Sequence, residues 1–153
     1  MTINNTTIYF DMDGTIADLY GVENWLDSLI AEDTRPYDIA KGIVNLNQFA
    51  RLVNGLQKSG YRIGIISWTS KGGSNDYNRA VEESKKRWLA KHLASVKFDE
   101  INVVPYGTPK RTVATTENAI LFDDEDKNLT AWGEGAIIAS MMMTTLKAMR
   151  KGA

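Results

Sequence analysis

The chain has 153 residues, 18 Lys and Arg against 19 Asp and Glu, a formal net charge of -1 and no cysteine. That length fits one α/β domain over 1–153 with a core of its own, without disulfides or a structural zinc. Near-balanced charge excludes a global field that would draw in nucleic acid or an anionic membrane, and the lack of cysteine excludes thiol catalysis and cysteine-ligated zinc. No apolar run approaches the roughly 18 residues of a membrane span and the first residues are polar, so neither insertion nor export is expected. A reducing cytoplasm suits such a composition.

In chain order, residues 6–11 read Thr-Thr-Ile-Tyr-Phe-Asp, a β-branched and aromatic run that predicts a buried first strand. It stops at two acids, Asp11 and Asp13, and at Gly14, which lets the backbone turn sharply. Trp25, Leu26, Leu29 and Ile30 then fall at helical spacing, and Arg35-Pro36-Tyr37-Asp38 is expected to break that helix. Leu46, Phe49, Ala50, Val53 and Leu56 predict a second helix, closed by Lys58-Ser59-Gly60. Residues 61–67 form a second apolar strand ending at Ser67, followed by a loop of hydroxyls and glycines from Trp68 and Thr69 to Ser74 whose backbone could wrap an anion.

A long helix follows over about 75–93, on which Lys85-Lys86-Arg87 reads as a solvated face. The single histidine, His92, has no histidine partner near it and is expected to serve at the surface. Residues 101–104 predict a third strand, after which come Lys110 and Arg111. Residues 119–122 predict a fourth strand, ending in Asp123-Asp124-Glu125-Asp126 with Asn128 just beyond. Residues 135–139 predict a fifth strand, and Met141, Met142, Leu146 and Met149 a closing helix whose stripe belongs to the core. Strands alternating with helices predict a Rossmann-like three-layer sandwich around a parallel five-stranded sheet.

In such a sheet ligands sit outside the carboxyl ends of the strands, where Asp11, Asp13, Ser67, Asp123 and Asp124 would gather. Clustered carboxylates repel one another unless a cation neutralises them, and an all-oxygen donor set suits Mg²⁺. A hydroxyl and an ammonium beside that metal make a receptacle for phosphate. Neither a Walker pattern nor Gly-x-Gly-x-x-Gly is present, which disfavours a nucleotide-fuelled P-loop machine and a dinucleotide oxidoreductase. A specified Asp-x-Asp-Gly-Thr arises by chance about once per hundred thousand positions, so Asp11 to Thr15 carries weight by itself.

These residues resemble the haloacid dehalogenase superfamily of aspartate-nucleophile phosphatases. Its first motif matches Asp11 to Thr15, its second Ile63 to Ser67, its third Lys110, and its fourth Ile120 to Asn128. The resemblance implies a first strand at the centre of the sheet, flanked by the second-motif and fourth-motif strands. It implies Asp11 as nucleophile, Asp13 as general acid and then base, and Ser67 with the backbone around Gly14, Trp68 and Thr69 as phosphoryl-oxygen ligands. Lys110 would offset charge on the phosphate, with Arg111 a competitor for that role. Asp11, Asp124, Asp123 and the main-chain carbonyl of Asp13 would hold Mg²⁺, with Asn128 further out.

Substrate choice in this family comes from a cap, and only about residues 19–45 are available for one, so a small helical cap is expected. The open site it leaves admits a large substrate or calls for a partner chain, as in a homo-oligomer. Tyr20, Trp25, Tyr37, Trp68 and Tyr106 could stack on a base. Together with the motifs, they make a small-molecule phosphomonoester, a nucleoside monophosphate, the expected substrate, as in the 5'-nucleotidase and 5'(3')-deoxyribonucleotidase branch. The competing readings are a polynucleotide end phosphatase and a non-catalytic phosphate-binding or interaction protein.

Overall fold

The computed structural model describes residues 5–153. Five strands, β1 (Thr6–Phe10), β2 (Arg62–Trp68), β3 (Glu100–Val104), β4 (Asn118–Asp123) and β5 (Ala136–Ile138), form one sheet in the order β3-β2-β1-β4-β5. Every pairing is parallel, with Ile8 of β1 opposite Ile63 of β2 and Ile120 of β4. All five residues of β1 are buried. That is why this strand reads as a continuous run and not as an alternation: helices cover both faces of a parallel sheet.

The helices are α1 (Trp25–Ile30), α2 (Arg35–Ile39), α3 (Leu46–Lys58), α4 (Asn75–His92), α5 (Asp126–Trp132) and α6 (Met142–Gly152). The chain steps outward from β1 through β2 to β3 and, on the other side, from β4 to β5. Right-handed crossovers therefore put α3 and α4 on one face and α5 on the other. On the first face Ile8 and Phe10 pack with Phe49, Trp88, Met142 and Leu146. Phe10 lies edge-on to Phe49 at 4.9 Å and stacks on Phe122 at 5.4 Å. On the second face Tyr9 packs with Ile66, Leu121 and Trp132. The result is the expected Rossmann-like α/β sandwich with β1 at its centre.

Two local expectations are corrected. Arg35-Pro36 does not merely end a helix; it starts α2, because Pro36 occupies the first turn, where its missing N–H leaves nothing unpaired. In the closing segment Met142 and Leu146 are buried, but Met141 precedes α6 and is exposed. Among the described residues no helix is long and apolar enough to cross a membrane.

The insertion between β1 and α3 is fastened to α4. Trp88 Nε1 donates to the Ala40 carbonyl at 2.7 Å, and Tyr77 Oη to that of Asp33 at 2.9 Å. Ser84 Oγ and an Arg87 guanidinium nitrogen both donate to Asp38 Oδ1 at 2.5 and 3.0 Å. Burial raises the Asp38 pKa, but these donors and Thr34 outweigh it and hold the carboxyl below its ordinary range. At the start of α4 the Ser74 hydroxyl accepts from the Tyr77 N–H and caps the helix. The Ser74 N–H and Oγ donate to the two Glu32 oxygens, each at 2.8 Å.

Candidate active site

The carboxyl end of β1 runs directly into the site. The Asp11 N–H donates to the Phe122 carbonyl at 3.0 Å, which keeps Asp11 level with the end of β4. The next residues fold back, and the N–H groups of Thr15, Ile16 and Ala17 all donate to the Met12 carbonyl. This turn needs Gly14, whose φ is +83° and where a Cβ would collide with the Asp124 carboxylate. The glycine thus permits both the turn and the approach of an acid from another strand.

Asp11, Asp123 and Asp124 present carboxylate oxygens within 4.8 Å of one another. Lys110 Nζ donates to Asp11 Oδ1 at 2.8 Å and to Asp123 Oδ2 at 2.7 Å. Burial alone would lower the Lys110 pKa, but the charges of Asp11 and Asp123 outweigh it and raise it, so the ammonium is fixed. Asp123 is further held by the Glu125 N–H at 3.0 Å and Asn128 Nδ2 at 3.2 Å, and Asp11 by the Thr15 hydroxyl at 3.2 Å. Asp124 has no ammonium on it. Burial and the Asp11 charge push its pKa up to about 8.

A second lysine enters from an unexpected place. Lys85 was expected on a solvated face, yet it is 1% exposed. Its Nζ donates to Asp13 Oδ2, Ser67 Oγ and the Trp68 carbonyl, each at 2.7 Å. The reason is position on α4: Tyr77, Val81, Lys85 and Leu89 lie four residues apart, and all are buried. Lys86 and Arg87 do stay on the outer side, paired with Glu82 and Asp38. Burial, followed by the Asp11 charge, raises the Asp13 pKa, and Lys85 works against both.

A cavity of about 540 Å³ opens above these groups, reached by Asp11, Asp13, Lys110, Asp123 and Asn128. Its walls are Leu19, Tyr20, Trp25, Leu26, Leu29 and Ile30 on one side and residues 68–73 with Tyr106 on the other. The helical spacing of α1 divides between two environments: Trp25 and Leu29 pack against the cluster of Leu19, Tyr37, Tyr77 and Val81, and Leu26 and Ile30 do not. Leu26 and Ile30 are 53% and 74% exposed, because they lie at the cavity and not against that cluster.

The other anticipated residues are placed as follows. Ser67 is buried at the end of β2 under Lys85, and Thr69 is buried in the cavity wall, its N–H donating to the Val104 carbonyl. Trp68 Nε1 donates to the Thr108 carbonyl at 2.9 Å, and its ring lies 5.3 Å from Lys110 Nζ and 4.8 Å from Tyr106. Arg111 leaves the site to cover Trp132 and bond the Glu117 carbonyl. His92 leans on Trp88, away from the carboxylates.

The donor chemistry can be read from charge. Four carboxylates, Asp11, Asp13, Asp123 and Asp124, meet two buried ammoniums, Lys85 and Lys110, leaving two negative charges that a divalent cation would neutralise. Oxygen-only donors on Asp11, Asp123 and Asp124 fit a hard cation better than zinc or copper.

The fold and the position of this cleft define an α/β protein whose functional groups sit beyond the carboxyl ends of a parallel sheet. Among solved structures the chain is similar to D,D-heptose 1,7-bisphosphate phosphatase from Burkholderia thailandensis, with a TM-score of 0.59 and 13% identity over 94% of this chain and 97% of that one. It is also similar to the D,D-heptose 1,7-bisphosphate phosphatase from B. bronchiseptica complexed with magnesium and phosphate. There the TM-score is 0.58 and the identity 13%, over 97% and 99% of the two chains. At that identity the likeness is one of fold. No family model and no curated protein matches the chain.

Proposed function

We propose that this protein is a Mg²⁺-dependent phosphomonoester hydrolase of the haloacid dehalogenase type. The observation that carries the reading is the convergence of Asp11, Asp123 and Asp124 with Lys110 bridging two of them at the floor of a cavity. Asp11, Asp123 and Asp124 would hold the ion, which supplies charge neutralisation for an incoming phosphoryl group. One phosphatase of the same fold is described as a complex with magnesium and phosphate, and this supports the assignment.

Each step then belongs to a residue of the chain. An Asp11 carboxylate oxygen attacks phosphorus and the bond to the leaving oxygen breaks, while Asp13 gives that oxygen its proton. Water then attacks the aspartyl-phosphate and Asp13 takes a proton from it. Phosphate departs and the Asp11 carboxylate is restored. Among the described residues Lys110 donates two hydrogen bonds, and its third N–H is available to a phosphoryl oxygen. Stabilising charge on the transferring group is the main task in phosphoryl transfer.

The leaving group is a nucleoside in this reading. The cavity walls offer aromatic and aliphatic faces, with Trp68 against Tyr106 and Tyr20 against Trp25. Such walls suit a planar base better than a polyhydroxylated sugar, whose hydroxyls would lose water without replacement. A sugar phosphate is the second reading, favoured by the substrate named for both fold neighbours. Released phosphate, measured with Mg²⁺ over a panel of nucleoside monophosphates and sugar phosphates, decides between them. Asp11→Asn abolishes turnover with the fold intact; full activity in that variant, or none in the wild type on any ester, overturns the proposal.

A further inference from the structure

Lys85 is not needed by the mechanism above, yet every donor it has is engaged. An ammonium has three N–H donors and no acceptor, and all three are used at 2.7 Å, on Asp13 Oδ2, Ser67 Oγ and the Trp68 carbonyl. Lys85 does not line the cavity, whereas Lys110 does. It therefore has no donor left for a phosphate and no access to one. Its three acceptors come from the end of β1 and the end of β2, which it ties together from behind.

The two side chains it holds are thereby set in one orientation each. Asp13 reaches the cavity, and with Oδ2 on Lys85 its other oxygen, Oδ1, has no partner among the described residues. Ser67 Oγ accepts from Lys85, so its own O–H cannot turn toward the lysine and is left to donate elsewhere. The platform behind Lys85 is stiff. One residue before it, Ser84 bonds Asp38, and three residues after it, Trp88 bonds the Ala40 carbonyl. Lys85 Nζ also sits 5.2 Å from the Tyr37 ring centroid, a face that favours a cation.

We propose that Lys85 is a positioning residue that holds the Asp13 carboxyl and the Ser67 hydroxyl in register with the substrate phosphate. This rests on the reading of Asp13 as the acid that protonates the leaving oxygen. A proton donor acts only within hydrogen-bond reach of its acceptor, so a loosened Asp13 costs most where the leaving group needs the proton. An alkyl phosphate needs it, because an alkoxide is a poor leaving group. p-Nitrophenyl phosphate does not, because nitrophenolate leaves unprotonated.

The experiment compares kcat/KM for these two ester types, with Mg²⁺, in wild type, Asp13→Asn, Lys85→Met and Lys85→Arg. Asp13→Asn defines the signature: a loss of about 100-fold or more on the alkyl ester and a much smaller loss on the aryl ester. Lys85→Met is expected to show the same selective loss, and to add little in the double variant with Asp13→Asn, since both act through one carboxyl. Lys85→Arg, which keeps the charge but not the compact three-way donor geometry, shows the selectivity in weaker form and stands in if the methionine variant does not fold. Equal losses on both esters in the Lys85 variants, or losses that multiply with that of Asp13→Asn, overturn the proposal. If Asp13→Asn itself shows no selectivity, the failure lies in the role given to Asp13 and takes the Lys85 proposal with it.

Discussion

Replacing Asp124 with asparagine should stabilise the metal-free protein, although it removes a proposed metal ligand. Asp124 faces Asp11 and Asp123 with oxygens no more than 4.8 Å apart, and Lys110 bonds those two neighbours but not Asp124. At that distance and an effective dielectric near 20, a pair of like charges repels by about 3 kcal/mol. Lys110 offsets about one of the two neighbouring charges, which leaves about one such repulsion, and solvent screening at the site lowers the expected gain to about 1–3 kcal/mol. In a chain of this size that is a rise in Tm of roughly 3–10 °C.

The pH dependence has a definite sign. The Asp124 pKa of about 8 in the folded protein lies above its ordinary value of 3.8, so the folded state binds this proton more tightly than the unfolded one. The resulting stability is whole below about pH 4 and is lost as pH rises through about 8. Asparagine, an isostere of the neutral acid, escapes that loss. Thermal melts with EDTA should therefore show the variant above wild type at pH 9, with the gap narrowing steadily as pH falls and closing only near pH 4. With saturating Mg²⁺ the order reverses, because only the wild type gains the full binding energy of the ion. An Asn variant that melts below wild type at pH 9 without metal would refute the electrostatic account of the cluster.

Two more outcomes follow from the same geometry. Gly14→Ala must hold an L-residue at φ +83° and push a methyl into the Asp124 carboxylate, so the backbone term alone costs about 1–2 kcal/mol. The rise in Tm on adding Mg²⁺ should shrink in that variant, and an undiminished rise would count against Asp124 as a ligand. Asp38→Ala removes the acceptor of Thr34, Ser84 and Arg87, at a cost of about 1–3 kcal/mol. Limited proteolysis should then cut within residues 31–44 before anywhere else, and unchanged protection would show that the other ties suffice.

Much of this was legible in the sequence because the decisive signals are local. A buried parallel strand is a short apolar run, and three such runs end in Asp11, Ser67 and Asp123, each at the carboxyl end of a neighbouring strand. The choice between Lys110 and Arg111 was not local. It is made by the 3-10 turn at Lys110–Thr112, which sends one side chain to the carboxylates and the next to Trp132.

Lys85 was hidden for a different reason. A run of three cations reads as a wet face, and the acid that allows one of them to be buried lies 72 positions earlier in the chain. A signal was present nonetheless, in the four-residue ladder Tyr77, Val81, Lys85, Leu89, where a lysine interrupts an apolar stripe. Helix α1 was legible as a helix, but not what it faces. Nothing in a periodic pattern says whether the facing surface is protein, as for Trp25 and Leu29, or an open cleft, as for Leu26 and Ile30.

The fastening of the insertion on both sides of α1 leaves that helix as a replaceable panel. Its anchors, Glu32, Asp33, Asp38 and Ala40, all lie after it, while the backbone N–H of Asp18 ties the segment before it to the Lys41 carbonyl. None of its six residues is buried, although Trp25 and Leu29 pack against Leu19, Tyr37, Tyr77 and Val81. The side chains that α1 turns to the cavity and the acid cluster beneath are thus carried on separate pieces of chain, so positions 26 and 30 can be randomised to reshape the cavity wall without changing a residue of that cluster.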